Sequence, residues 1–336
     1  MKEFKHYQAA HCENGVTVGL LQQAGMHQIT EPLAFGIGSG LFYIQIPFLT
    51  LQSGPAISFR SIPGSIFKRT CKTFDVKLQS NRYRSEDKAI QEMDELLRQG
   101  KSIGCQVGVY NLSYYPKEYR FHFNAHNMIV FGKNGDMYEV SDPIMEETTL
   151  LSEEDMRKVR FAKGVFAPRG HIYYPKQEIH VTDEQIKIAI QKGIKRNCRD
   201  MLRIPGGVAG VAGINFTARN IRKWKDKYGD RKAALHLGQI VRMQEEIGTG
   251  GGGFRYLYAA FLEEAAAITG KDELLIVSEK MTQAGDMWRN SAVQMAGIYK
   301  GRLRAQADYN VSADMLNAVS ALEKEAFQQL DKIKWK

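Results

Sequence analysis

Three residues carry most of the chemistry that this sequence can be read to do, Cys12, His126 and Asp142, together with the segment that joins the last two. His126 to Phe131 is rich in apolar and β-branched residues, Met137 to Val140 alternates, and Lys133-Asn134-Gly135 lies between them. Asn-Gly is a strong hairpin signal, because glycine takes positive φ without steric cost. A two-residue Asn134-Gly135 loop sets Asp142 opposite Asn127. A three-residue Lys133-Asn134-Gly135 loop sets it opposite His126, with the two side chains on one face and about 5 Å apart at Cβ. A carboxylate in the second position fixes an imidazole's tautomer and stabilises its cation. Such a pair commonly serves a nucleophile, and Cys12 is the candidate.

Cys12 opens the stretch that runs into VTVGLLQQAG, where Val16, Leu20, Leu21 and Ala24 recur at helical spacing and Gly25 is a natural stop. This predicts a short amphipathic helix with the cysteine in its first turn. Free N–H groups and the helix dipole favour a thiolate there. The alternative is a small buried side chain. Cys71, Cys105 and Cys198 read as ordinary core or surface thiols, and no Cys/His spacing suggests a metal site.

The elements that must position these groups fall into two parts. As far as Pro175 the pattern is mixed: strands over Phe42–Leu51, Ala56–Ile62 and Lys101–Tyr110, a helix over Ser85–Gln99 capped by Ser85, a Ser152-capped helix ending at Arg160, and a strand pair within Gly164–Tyr174. The alternate glycines of Thr30–Leu41 suggest tight packing on the Cys12 helix. Tyr114 and Tyr115, in an aromatic loop, are candidates to line a substrate pocket. After Pro175 the periodicity is almost wholly helical. The expected division is a catalytic domain over 1–178 and a helical domain over 179–336, serving as lid, acceptor platform or docking site for a carrier protein.

The 336 residues carry a net charge of +9, unevenly placed: 20 Lys+Arg against 18 Asp+Glu up to Pro175, and 26 against 19 beyond it. No nucleic-acid motif accompanies this charge, so solvated helix faces and an acidic protein partner are the readings left. No run is apolar and long enough for a membrane span or signal peptide, and the sparse cysteines suggest a cytoplasmic protein. The run EEIGTGGGGFRYLYAAFLEEA opens a helix with glycines and Arg255. Backbone N–H groups of Gly250 and Gly251 together with that guanidinium form a candidate phosphate cradle, the alternative being an inter-helix turn with Arg255 in a salt bridge.

Taken in order, His11-Cys12 at a helix start, Thr30-Glu31 with FGIGSGL, Ala125-His126 in a strand and Val140-Ser141-Asp142-Pro143 closing the hairpin resemble the N-terminal domain of the butirosin-biosynthesis protein H family of acyltransferases. The segment EEIGTGGGGFRYLYAAFLEEA and Met287-Trp288-Arg289 look like the helical domain that commonly follows it. The hairpin after a Cys-headed helix is also similar to double-glycine leader peptidases. The resemblance implies an α+β fold: a papain-like N-terminal domain and an all-helical C-terminal one. It implies Cys12 as nucleophile, His126 as base and Asp142 as its orienter. Two departures stand out. Papain-like enzymes place a Gln six residues before the nucleophile, whereas here that position is His6, leaving His6, Gln8 and His11 as oxyanion candidates. Asn111 also stands where the family has an Asp.

The activity implied is transfer of an acyl group from an acyl carrier protein or similar thioester, through a Cys12 acyl-enzyme, to an amine in aminoglycoside-like antibiotic biosynthesis. The donor is phosphopantetheine-linked and is a substrate; no tightly bound cofactor or metal is implied. A homodimer stays open as a partner arrangement. The competing readings are a papain-like peptidase or amidase using the same three residues, and a binding protein in which the cysteine is a relic.

Overall fold

The computed structural model describes residues 4–51, 54–247 and 249–335. In chain order the elements are α1 (Cys12–Gln23), α2 (Glu31–Ile37), β1 (Leu41–Leu51), β2 (Gly54–Arg60), α3 (Ser65–Thr73), β3 (Leu78–Asn81), α4 (Glu86–Arg98), β4 (Ile103–Val107), β5 (His126–Asn134), β6 (Met137–Ser141), β7 (Thr149–Ser152), α5 (Glu153–Arg160) and β8 (Ile172–Pro175). Five long helices follow: α6 (Asp183–Leu202), α7 (Gly210–Val241), α8 (Arg255–Thr269), α9 (Glu273–Tyr299) and α10 (Gln306–Lys332).

Two units result. The first comprises residues 1–34 and 63–182, the second 35–62 and 183–336. This differs from the single boundary expected at 178/179. The β1–β2 hairpin is early in sequence, yet it belongs with the helices: Gln45 N–H donates to Val208 O, and Asn197 Nδ2 donates to Leu41 O. The helical unit is thus not all-helical. Tertiary pairing decided this, and no local signal near residue 35 announces it.

The first unit is built on a six-stranded antiparallel sheet of order β3-β8-β4-β5-β6-β7. One face buries Met128, Val130, Tyr138 and Val140 against Ile90, Met93 and Leu97 of α4 and Met156 and Val159 of α5. The helices start where capping chemistry says they should: Ser85 accepts from Lys88 N–H and Ser152 from Asp155 N–H. The expected Gly164–Tyr174 strand pair is a single strand, β8, paired with β3 and β4.

Across the sheet's other face lies α1. It is not the amphipathic helix expected: every residue from Cys12 to Leu21 is buried. Two glycines one turn apart allow the close approach. A Cβ on Gly15 would lie 2.3 Å from the Pro143 ring, and one on Gly19 would lie 2.6 Å from Ile129 Cδ1. Of the Thr30–Leu41 stretch expected to pack on this helix, Glu31 bonds its start, at Ala10, His11 and Asn14, while Gly36 and Gly40 follow the point where the chain enters the second unit. There Gly36 meets the Phe261 ring.

The second unit packs α7, α9 and α10 together, with the β1–β2 hairpin against α7. Gly229, at φ 74 and ψ 166, breaks α7 into two helical stretches. Among the described residues, no helix is long and apolar enough to cross a membrane.

Candidate active site

Cys12 is the first residue of α1, and His11 is its N-cap. The first main-chain bond of the helix runs from Gly15 N–H to His11 O, so the N–H groups of Cys12, Glu13 and Asn14 precede the helical ladder. These and the helix dipole place positive potential at the sulfur. Two buried carboxylates hold this helix start. Glu31 accepts from Ala10 N–H and His11 N–H, both at 2.9 Å, and from Asn14 Nδ2 at 3.4 Å. Burial pushes the Glu31 carboxyl up, against the pull of these donors. Glu13 turns the other way and accepts from Gly64 N–H and Ile66 N–H at the start of α3, both at 2.9 Å.

The hairpin places His126 and Asp142, but by neither of the two registers that the Asn-Gly signal suggested. Asn134 pairs with Met137, so the loop residues are Gly135 and Asp136, with Gly135 at φ 58. Carried straight through, that register would bring Asp142 opposite Ile129, on the face away from His126. A β-bulge prevents this: the register shifts between Val130 and Gly132, leaving Phe131 as the extra residue. Beyond the bulge Ile129 pairs with Ser141, and Asp142 continues toward Met128, on the face of His126 and diagonal to it. Phe131 itself stacks on Phe4 at 4.3 Å.

The resulting contact is short. His126 Nε2 lies 2.7 Å from Asp142 Oδ2, and both side chains are almost fully buried. With Nε2–H donating to the carboxylate, Nδ1 is the nitrogen left for the thiol, whose hydrogen bond acts on the same ring. Asp142 is held by three further donors: Tyr114 O–H at 2.9 Å, Tyr115 O–H at 3.1 Å, and Ile144 N–H on Oδ1 at 3.1 Å. Burial disfavours the imidazolium, but the Asp142 charge and the neighbouring Cys12 outweigh it, and the His126 pKa stands well above the ordinary histidine range. Burial likewise raises Asp142, and the charge of His126 more than reverses this, so its carboxyl stays below its usual value. The site therefore favours an imidazolium beside the sulfur, the arrangement in which a cysteine attacks.

Tyr114 and Tyr115, read from the sequence as pocket-lining candidates, both place their hydroxyls on the Asp142 carboxylate and so support it. The oxyanion candidates also sort out. His6 is engaged at both nitrogens, by Ser141 Oγ at 2.8 Å and Met145 O at 3.0 Å. Gln8 is exposed, and the His11 side chain is buried at the helix start. Asn111 ends the 3-10 turn Val109–Asn111.

The phosphate cradle expected in the second unit is not present. Arg255 is fully buried, with Nε and Nη2 on the two oxygens of Glu323 at 2.8 and 2.9 Å and Nη1 on Gly253 O. The N–H of Gly251 goes to Thr249 Oγ1, and the Glu245 carboxylate already accepts from Gly252 N–H. Gly250 is exposed beside them, and Gly248 lies outside the described residues. A salt-bridged core arginine and a tight turn are what the glycine run makes.

Two residues of the site were missed in the sequence. Glu31 carries no signal beyond its place in the motif, because its partners are main-chain groups. Asn127 has its Nδ2 4.0 Å from Cys12 Sγ, and it entered the sequence reading only as a partner for Asp142 in the rejected register.

A thiol at the start of a buried helix, set against an imidazole and carboxylate from an antiparallel sheet, is a papain-like arrangement. Residues 11–143 match the family model described as butirosin biosynthesis protein H, N-terminal, and residues 154–330 that described as domain of unknown function (DUF4872). The second match spans more than half of the chain, which belongs to that family; its first part is butirosin-biosynthesis-H-like. Among solved structures, one described as a C39-like peptidase from Bacillus anthracis is similar at 12% identity and a TM-score of 0.35, covering 53% of this chain and 96% of that one. No match is found among curated proteins.

Proposed function

We propose that this protein is a cysteine-dependent acyltransferase that takes an acyl group from a phosphopantetheine thioester and delivers it to an amine. The observation that carries the reading is the His126–Asp142 contact of 2.7 Å with the Cys12 thiol acting on the same ring. The Cys12 thiolate attacks the thioester carbonyl carbon. The Sγ–C bond forms and the carbonyl π pair moves to oxygen. Collapse expels the donor thiolate, which takes the proton held on His126. The incoming amine then attacks the acyl-enzyme, His126 accepts its proton, and Cys12 leaves as thiolate. Exchange between thioesters needs little driving force, whereas amide formation is downhill and commits the product.

The family description supports a place in antibiotic biosynthesis, with an aminoglycoside-like amine as acceptor; the free cysteines suit a cytoplasmic setting. The excess of Lys+Arg beyond Pro175, 26 against 19 Asp+Glu, suits an acidic carrier protein as donor.

The test is intact-protein mass after brief incubation with a panel of short acyl-pantetheine thioesters, wild type against Cys12→Ala. A gain equal to the acyl group, absent in the variant and discharged faster by added amines, is expected. Discharge that amines leave unchanged would make the protein a hydrolase. No adduct with any donor, together with alkylation of Cys12 no faster than of Cys71, would sink the enzymatic reading.

A further inference from the structure

We propose that Asn127 is the side-chain hydrogen-bond donor of this site: its amide holds the Cys12 sulfur as an anion and then serves the oxygen to which the charge moves. The second half rests on the acyl-enzyme reading above; the first does not.

The amide is built into position. Asn127 is buried, and its Oδ1 accepts from Tyr173 O–H at 2.8 Å. The oxygen end is thereby committed, and the nitrogen end faces Cys12, with Nδ2 4.0 Å from Sγ and 3.1 Å from Ala125 O. An amide N–H aimed at sulfur gains most when the sulfur carries charge. The strand explains how one residue beside His126 comes to do this. Successive side chains of β5 point to opposite faces. His126 faces Asp142, while Asn127 shares the face of Ile129, which packs against Gly19 of α1. Cys12, at the end of that helix, is reached from both faces by two consecutive residues.

Two of the oxyanion candidates read from the sequence are placed otherwise. Both nitrogens of His6 are engaged elsewhere, and Gln8 is exposed. An oxyanion donor must end about 2.7–3.1 Å from the oxygen. A donor 4.0 Å from the sulfur falls within that reach once carbon and oxygen are attached to it. During attack no proton moves at Asn127. The charge its N–H meets passes from sulfur to oxygen as the Sγ–C bond forms.

Two rates separate this role from packing: alkylation of Cys12 by iodoacetamide, which forms no oxyanion, and acylation by the best acyl-pantetheine thioester. Asn127→Ala is expected to slow acylation about 100-fold, the loss typical of one oxyanion donor, and alkylation by less than about 10-fold. Tyr173→Phe keeps the ring and frees the amide. It should reproduce part of both losses and add nothing in the Asn127→Ala background. Equal losses in the two rates would overturn the oxyanion role, unchanged alkylation would overturn the thiolate role, and two unchanged rates would overturn the whole proposal. If Asn127→Ala does not fold, Tyr173→Phe alone decides, since unchanged rates there mean the amide is not held for the sulfur. If no thioester acylates the wild type, the functional reading fails, and the alkylation arm still judges the thiolate role.

Discussion

Each unit of this protein buries an ion pair, and the two pairs do different work. In the second unit the Arg255 guanidinium grips both oxygens of Glu323, Trp288 Nε1–H adds a donor at 2.7 Å, and the Trp288 ring lies 5.1 Å from the guanidinium carbon. Every partner is itself core. In the first unit Asp142 is as heavily bonded, but its cationic partner also feels the Cys12 thiol, which is 8% exposed. A closed network holds a fold; one with an end left on a reactive atom can do chemistry. Burial and charge alone do not tell them apart, and the partner list does.

The comparison can be broken by exchanging the roles. The largest effect expected is on the open pair. Asp142→Asn should lower the acylation rate by about 10⁴-fold, as loss of the orienting carboxylate does in such triads, while thermal unfolding shifts only modestly. The pH profile gives a further check. Asp142 holds the His126 proton against burial, so without its charge the limb where activity falls with rising pH should move to lower pH. An unmoved limb would mean that another group holds that proton.

The closed pair should respond in stability. Glu323→Ala leaves a buried guanidinium unpaired and is expected to cost about 3–5 kcal/mol, whereas Arg255→Met with Glu323→Leu should recover most of it. Denaturant unfolding measures both, and an inert Glu323→Ala would refute the structural assignment. Gly15→Ala tests the helix-to-hairpin spacing. The methyl would meet Pro143 and Ala9, both short and stiff, and about 1–3 kcal/mol of overpacking is expected, with slower alkylation of Cys12. Tyr114→Phe removes one of four donors to Asp142 and should cost only about tenfold in acylation, a loss in keeping with one bond to a charged group.

A further pH effect separates a silent histidine from the reactive one. Burial first, then Arg82, Lys68 and Arg160, press His171 down to about 3. Below about 6.5 the unfolded chain takes up a proton there that the folded chain refuses, so stability should fall as pH drops. His171→Gln should flatten that limb. His126 has the opposite sign: its contribution is full below about 6.5 and is lost as pH rises through its raised folded value.

Much of the site was legible because its signals are local. A helix that starts at Cys12, a chain reversal near Asn134-Gly135 and a hairpin that closes on Asp142-Pro143 follow from caps, periodicity and turn chemistry within a few residues. Those properties belong to the chain segment and survive any tertiary context that lets the segment form. What they left open was parity. Whether Asp142 faces His126 turns on a single residue, and a one-residue slip reverses every side chain. The Phe131 bulge decided that. The partners of Arg255, Tyr114, Tyr115 and Asn127 are likewise 27 to 115 residues away in sequence, or 68 in the case of Glu323. An arginine after glycines can cradle a phosphate or fill a core, and two loop tyrosines can line a pocket or hold a carboxylate. The choice follows from which unsatisfied buried group folding brings within 3 Å, a quantity that does not exist until the chain has packed.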